Sequence, residues 1–138
     1  MTIPLQKPDP ASPAEMAGAA VSPASPAIDL VHLSAQSLGD RNLELELLQL
    51  FDRQSEQILL RLEAGLAMGE RRWVRDLCHT LKGSARAVGA VHVAAAADLY
   101  GEALMSSASD GELLALRGAL AARVREARAK IADLLKDA

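Results

Sequence analysis

Aromatic residues and cysteine are nearly absent from this sequence. The 138 residues include one phenylalanine, one tyrosine and one tryptophan, whereas half of all residues are hydrophobic, so a core must be built from aliphatic side chains. The single cysteine, Cys78, excludes an intrachain disulfide and any multi-cysteine metal site. A reducing cytoplasm is therefore the simplest setting.

Strand-like and membrane-spanning segments are missing as well. No run alternates Val, Ile, Thr and aromatic residues, and good helix formers such as Ala, Leu, Arg and Glu dominate. No segment approaches the ~20 apolar residues of a spanning helix, and the first residues lack the apolar core of a signal peptide. The net charge of −3, with basic residues dispersed among acids, argues against nucleic-acid binding. These absences predict a soluble, all-α protein that does not bind membranes.

Proline divides the chain into two parts. All six prolines lie between Pro4 and Pro26, among Ala and Ser residues that offer little to bury. We therefore expect a flexible leader over residues 1–27 and one domain over residues 28–138.

Five helices are predicted within that domain. Asp29 is the expected cap of a short helix that ends near Leu38 and Gly39, and Asp40 and Asp110 are the expected caps of the two long ones. A third helix is predicted from about Glu70 to Val88, with Gly89 as its stop, and a fourth from Val91 to Met105. On the first long helix the predicted apolar stripe is Leu43, Leu47, Leu50, Phe51, Ile58, Leu62 and Leu66. Short connections between amphipathic helices favour antiparallel neighbours, hence a four-helix bundle with an extra short N-terminal helix.

The predicted third helix carries the most informative face. At about 100° per residue, His79 lies opposite an expected buried stripe, Val74, Leu77, Leu81, Ser84, Val88 and Val91, and so points to water. The side chains within about 60° of His79 on the helical wheel are Arg72, Arg75, Asp76, Lys82, Gly83, Arg86 and Ala90. Four of these are cations, in a chain that is acidic overall.

This arrangement suits a nitrogen nucleophile that receives a phosphoryl group. Neutral imidazole can attack phosphorus, and the product brings about two negative charges, which Lys82 one turn along could neutralise. Gly83 is costly inside a helix, and its missing side chain leaves a gap through which a partner can approach His79. Arg72, Arg75, Arg86 and Ala90 are candidates for partner contact, although a charged outer face is also what any amphipathic helix presents.

Other reactive or aromatic residues are assigned structural roles. Cys78 is expected to be a partly buried small hydrophobe. His32 and His92 lack Lys and Gly neighbours and are interpreted as structural. Trp73 is expected to fill the core.

The residues around His79 resemble a known family. The segment His79-Thr80-Leu81-Lys82-Gly83-Ser84-Ala85, followed by Gly89, resembles the signature of the histidine-containing phosphotransfer (HPt) domain of bacterial multistep phosphorelays. Leu38-Gly39-Asp40, Leu47-Leu48 and Phe51 also resemble that family's first helices.

The resemblance implies a fold and a function. The implied fold is an up-down-up-down four-helix bundle. The implied function is exchange of phosphoryl groups between its histidine, here His79, and receiver-domain aspartates, without kinase activity of its own. The expected partners are response-regulator receiver domains and a hybrid histidine kinase, and the Mg²⁺ for transfer would be held by the receiver. The chain itself needs no cofactor, and a closed core makes a monomer the default.

One position departs from the family pattern. Several family members carry a glutamine that steadies the phosphorylated imidazole, and this chain has Gly101 at the corresponding position. The adjacent Glu102 would repel phosphate. Lys82 is therefore expected to do more of the stabilising.

Two other classes of protein are alternatives to a phosphotransfer domain. A helical adaptor that docks receiver domains without being phosphorylated remains open. A hydrolytic or metal enzyme is disfavoured because Asp76 alone shares the face of His79, so no metal site is expected.

Overall fold

The part of the chain that the computed structural model describes, residue 22 and residues 24–137, is helical and contains no strand. Its helices are α1 (Leu30–Gln36), α2 (Arg41–Ala67), α3 (Arg71–Val88), α4 (Val91–Leu104) and α5 (Asp110–Lys136). The all-α class is therefore confirmed. None of these helices combines the length and apolar composition that a membrane crossing requires. The predicted leader lies almost wholly outside the described residues, so its boundary near residue 28 stays a prediction.

Two of the predicted helix caps are present. A carboxylate oxygen of Asp29 accepts hydrogen bonds from the backbone N–H groups of Val31 and His32, each at 3.1 Å. Asp40 accepts one from the N–H of Leu43 at 3.2 Å. Each carboxylate satisfies amides that the first turn of a helix leaves without partners, which is why α1 and α2 begin where they do.

The predicted cap of α5 was wrong by one residue. Ser109 is the N-cap: its hydroxyl accepts from the N–H of Glu112 at 3.1 Å, and the Glu112 carboxylate accepts from the N–H of Ser109 at 3.1 Å. Asp110 could not form this reciprocal pair, because the residue three positions after it is Leu113, which has no acceptor. Asp110 instead lies in the first turn, where its charge suits the helix dipole.

The four longer helices enclose one apolar core. α2 contacts α3 and α5, α4 contacts the same two helices, and α1 packs against α3. Phe51 is fully buried, as expected, Tyr100 is fully buried too, and aliphatic side chains fill most of the remaining space. Burial of these side chains is the main favourable contribution to the stability of the domain.

The buried face of α2 differs in part from the predicted stripe. Phe51, Ile58 and Leu62 are buried as expected, but Leu43 and Leu50 are exposed and Leu48 is buried instead. The positions buried on α2 repeat at intervals of three and four residues: Leu48, Phe51, Ser55, Ile58, Leu62 and Gly65. Because α2 packs against both α3 and α5, its buried face is set by two neighbours that the sequence of one helix does not reveal.

Trp73 does not fill the core, contrary to expectation. Its side chain is 41% exposed, and its ring covers Gly65 of α2 so closely that a Cβ built on Gly65 would lie 2.7 Å from Trp73 Cε3. Trp73 therefore closes the outer edge of the interface between α2 and α3.

Gly89 ends α3, as predicted, and holds α1 in place. Its φ of +78° is a left-handed conformation that favours glycine, and its carbonyl accepts a hydrogen bond from the N–H of Asp29 at 2.8 Å. A Cβ built on Gly89 would lie 2.6 Å from the backbone oxygen of Asp29. The junction between α3 and α4 thus requires glycine for two independent reasons.

These two reasons can be separated by mutation. Gly69 has a similar φ of +74°, but a Cβ there would meet nothing within 4 Å. We expect Gly69→Ala to lower the free energy of unfolding by about 1 kcal/mol, from backbone strain alone, and Gly89→Ala to lower it by about 3 kcal/mol, from strain plus the steric clash. Urea denaturation followed by circular dichroism measures both, and equal losses would show that the clash is relieved without cost.

Candidate functional site

His79 lies near the middle of α3 and its side chain is exposed. The residues that α3 buries are Val74, Cys78, Leu81, Ala85 and Val88. Three of these were predicted, whereas Leu77, Ser84 and Val91 are only half-buried and Cys78 and Ala85 take their places. The stripe is displaced towards α4, the helix with which α3 packs most extensively, but His79 remains outside it.

The surface beside His79 is open at Gly83. A Cβ built on Gly83 would meet nothing within 4 Å, so the packing of this domain does not require glycine there. Glycine inside an exposed helix costs roughly 1 kcal/mol relative to alanine. Gly83 therefore lowers the stability of the helix, and it leaves the surface open four residues along from His79.

Lys82 does not lie free on the surface. Its ammonium group donates a hydrogen bond of 2.7 Å to Oδ1 of Asp98 on α4, and the lysine side chain is half-buried. Asp98 was not predicted, because a helical wheel describes one helix at a time and Asp98 lies on a second helix. A signal was available, since Asp98, Gly101 and Glu102 are spaced three and four apart and share a face of α4.

The three candidate arginines are exposed but differ in their partners. Arg75 pairs with the adjacent Asp76 at 3.1 Å. Arg72 and Arg86 form no ion pair with any residue that the structure describes. Two of the four cations predicted around His79, Arg75 and Lys82, are therefore neutralised by carboxylates, so the face is less positive than the helical wheel of α3 indicates.

Ala90 is not on this surface. It is fully buried, so the expectation that its side chain contacts a partner was wrong. The helical wheel stops being valid at Gly89, where the left-handed backbone turns the chain towards α4. Ala90 is instead the residue that precedes the first turn of α4.

A groove of about 610 Å³ runs between α3 and α4 beside His79. The residues that line it are Arg75, Asp76, Cys78, His79, Lys82, Ala97, Asp98, Gly101, Glu102 and Met105. Gly101 is buried, and a Cβ there would lie 3.3 Å from Cβ of Cys78, so the absence of a side chain lets α4 pack closely against α3 at this point. The groove thus places three carboxylates, from Asp76, Asp98 and Glu102, near the histidine.

The other potential nucleophiles and metal ligands have structural roles or are not accessible. Cys78 is buried, more completely than predicted, and burial raises the pKa of its thiol to about 12, so the thiolate is absent at neutral pH. His92 holds the chain before α1, with Nε2 2.8 Å from the backbone oxygen of Ser25. Among the described residues no group of three or more His, Cys, Asp or Glu side chains is arranged to hold a metal ion.

An exposed histidine beside a lysine and an open glycine, on a helical scaffold, defines a protein suited to carry a chemical group on an imidazole. The family model described as Hpt domain matches residues 46–136, and the chain belongs to this family. The matched residues include most of α2 and all of α3, α4 and α5, and therefore His79. Hpt domains are phosphocarriers in histidine phosphotransfer and interact with receiver domains and kinases in phosphorelays. Searches of curated proteins and of solved structures each found no significant match.

Proposed function

We propose that this chain relays phosphoryl groups through His79, between the aspartates of two receiver domains. The observation that carries the proposal is the exposed position of His79 on α3, beside the open surface at Gly83 and within the segment that the Hpt family model matches. The lone pair of a neutral ring nitrogen attacks phosphorus, the new N–P bond forms as the P–O bond breaks, and the aspartate carboxylate leaves. Transfer onward reverses these bond changes on a second carboxylate.

Neighbouring residues have supporting roles in this proposal. Lys82 neutralises charge on the phosphorylated ring, and Gly83 admits the partner's active-site loop. Arg72, Arg75 and Arg86 are exposed on the same helix and are proposed to contact acidic residues of the receiver domain. The Mg²⁺ for transfer belongs to the receiver, and the chain contributes no kinase activity.

The wider setting is also part of the proposal. The short connections at residues 68–70 and 89–90, and the closed set of helix contacts, support an antiparallel up-down-up-down bundle of α2 to α5. Because this bundle encloses its own core, we propose a monomer. It acts in the cytoplasm with response-regulator receiver domains and a hybrid histidine kinase.

Phosphotransfer profiling tests the function. The full chain is incubated with each phosphorylated receiver domain of the source organism, and the label it acquires is then exposed to acid and to alkali. We expect label from one or a few receivers that acid removes and alkali does not, as for a phosphoramidate. Binding of receivers without any label would favour the helical adaptor instead.

A further inference from the structure

The ion pair between Lys82 and Asp98 connects α3 to α4 along the groove that His79 lines. Its length of 2.7 Å is that of a strong charge-assisted hydrogen bond, and the side chains of Lys82 and Asp98 are only 20% and 44% exposed. Solvent therefore screens this pair less than it screens more exposed pairs such as Arg75–Asp76 and Arg123–Glu126. Before phosphorylation, the cation next to His79 already has a partner.

Lys82 is within reach of a group carried by His79. The two residues are three apart on α3, so their Cβ atoms are roughly 5–6 Å apart. The lysine ammonium can therefore contact Asp98 or a phosphoryl group on His79. Phosphorylation brings about two negative charges close to the Asp98 carboxylate, which repels them and competes for the same cation.

We propose that Asp98 is a positioning residue that competes with the phosphoryl group of His79 for Lys82, and so disfavours retention of that group. The inference rests on the function proposed above and adds a determinant of its equilibrium. Lys82 changes partner, while the N–P bond at His79 forms and breaks as before. A carrier with this competition releases its phosphoryl group more readily than one in which the lysine is free.

The experiment uses phosphoramidate, a small phosphoryl donor that removes partner docking from the measurement. The P–N bond of phosphoramidate breaks, an N–P bond forms at His79, and ammonia leaves. The phosphorylated fraction of the full chain is measured by intact mass spectrometry at several ratios of phosphoramidate to ammonium, which gives an equilibrium constant. We expect Asp98→Asn to raise this constant about fivefold.

Control variants show whether Asp98 acts through Lys82. Glu102→Gln removes a second carboxylate that repels phosphate from the same groove, but Glu102 forms no ion pair or hydrogen bond with Lys82, so only general repulsion is lost and its effect should stay below twofold. Asp98→Glu should restore a value close to that of the wild type. In a Lys82→Met background, Asp98→Asn should lose most of its effect, because the cation for which Asp98 competes is gone. Circular dichroism checks that each variant is folded.

The outcomes separate the inference from the function on which it rests. If wild-type His79 acquires no phosphoryl group from phosphoramidate, the proposed function is contradicted and the inference with it. If the wild type is phosphorylated but Asp98→Asn has no effect, only the inference is wrong. An equal gain from Glu102→Gln, or a full gain in the Lys82→Met background, would also overturn it, because general charge repulsion would then be the cause.

Discussion

Replacement of His79 by glutamine is expected to reduce phosphoryl transfer from phosphorylated receiver domains to background. Glutamine is similar in size, but its amide nitrogen has a delocalised lone pair and cannot attack phosphorus. Because the His79 side chain is exposed and forms no hydrogen bond with any described residue, the fold should be unaffected. Transfer is measured as label that appears on this chain after it is mixed with a phosphorylated receiver.

His92→Gln is the matched control for that change. His92 lies on α4 and its ring is hydrogen-bonded to backbone, so its removal should lower stability slightly and leave transfer intact. Transfer that survives in His79→Gln would rule out the proposed relay. Receiver binding should persist in His79→Gln. A binding measurement on this variant therefore distinguishes loss of the nucleophile from loss of docking.

Gly83→Phe is expected to slow transfer from a receiver domain by about 100-fold, since a small misplacement of reacting groups can cost that much. The new side chain would stand in open space four residues along from His79, where the partner's loop must approach. Phosphorylation by phosphoramidate should change little, because that donor is small enough to reach the imidazole past the phenylalanine. The measurement is the ratio of the rate of transfer from the receiver domain to the rate of phosphorylation by phosphoramidate.

Gly83→Ala is the control for helix stability. Alanine should raise the free energy of unfolding by up to about 1 kcal/mol without obstructing the partner. If Gly83→Phe slows both donors equally, the phenylalanine disturbs His79 itself and the access role is wrong. If it slows neither, glycine is tolerated at this position without a role in transfer.

Local signals in the sequence were sufficient for much of the fold. The caps Asp29 and Asp40 and the stop Gly89 act within one turn of their own backbone, so residue type and spacing alone predict them. The exposure of His79 is similarly local, since it follows from the periodicity of α3. The exception at the start of α5 is also local, because the Ser109 and Glu112 pair was present in the sequence and was overlooked.

Features that depend on a second helix could not be predicted in this way. Lys82 was expected to neutralise a phosphoryl group on His79, and its partner Asp98, sixteen residues away on α4, was not predicted. Leu48 and Trp73 were misplaced because the burial of each depends on how α2 and α3 are rotated against their neighbours. Tertiary packing therefore determined which charges surround the site, whereas local periodicity determined where the histidine points.

The position of Trp73 over Gly65 has a practical consequence for spectroscopy. Trp73 is the only tryptophan of the chain and Tyr100 the only tyrosine, so intrinsic fluorescence comes from one donor and one acceptor. Trp73 lies at the edge between α2 and α3, while Tyr100 is enclosed in the core on α4. Energy transfer from Tyr100 to Trp73 therefore reports separation of the helices without any attached dye. The emission of Trp73 by itself reports solvent entry between α2 and α3.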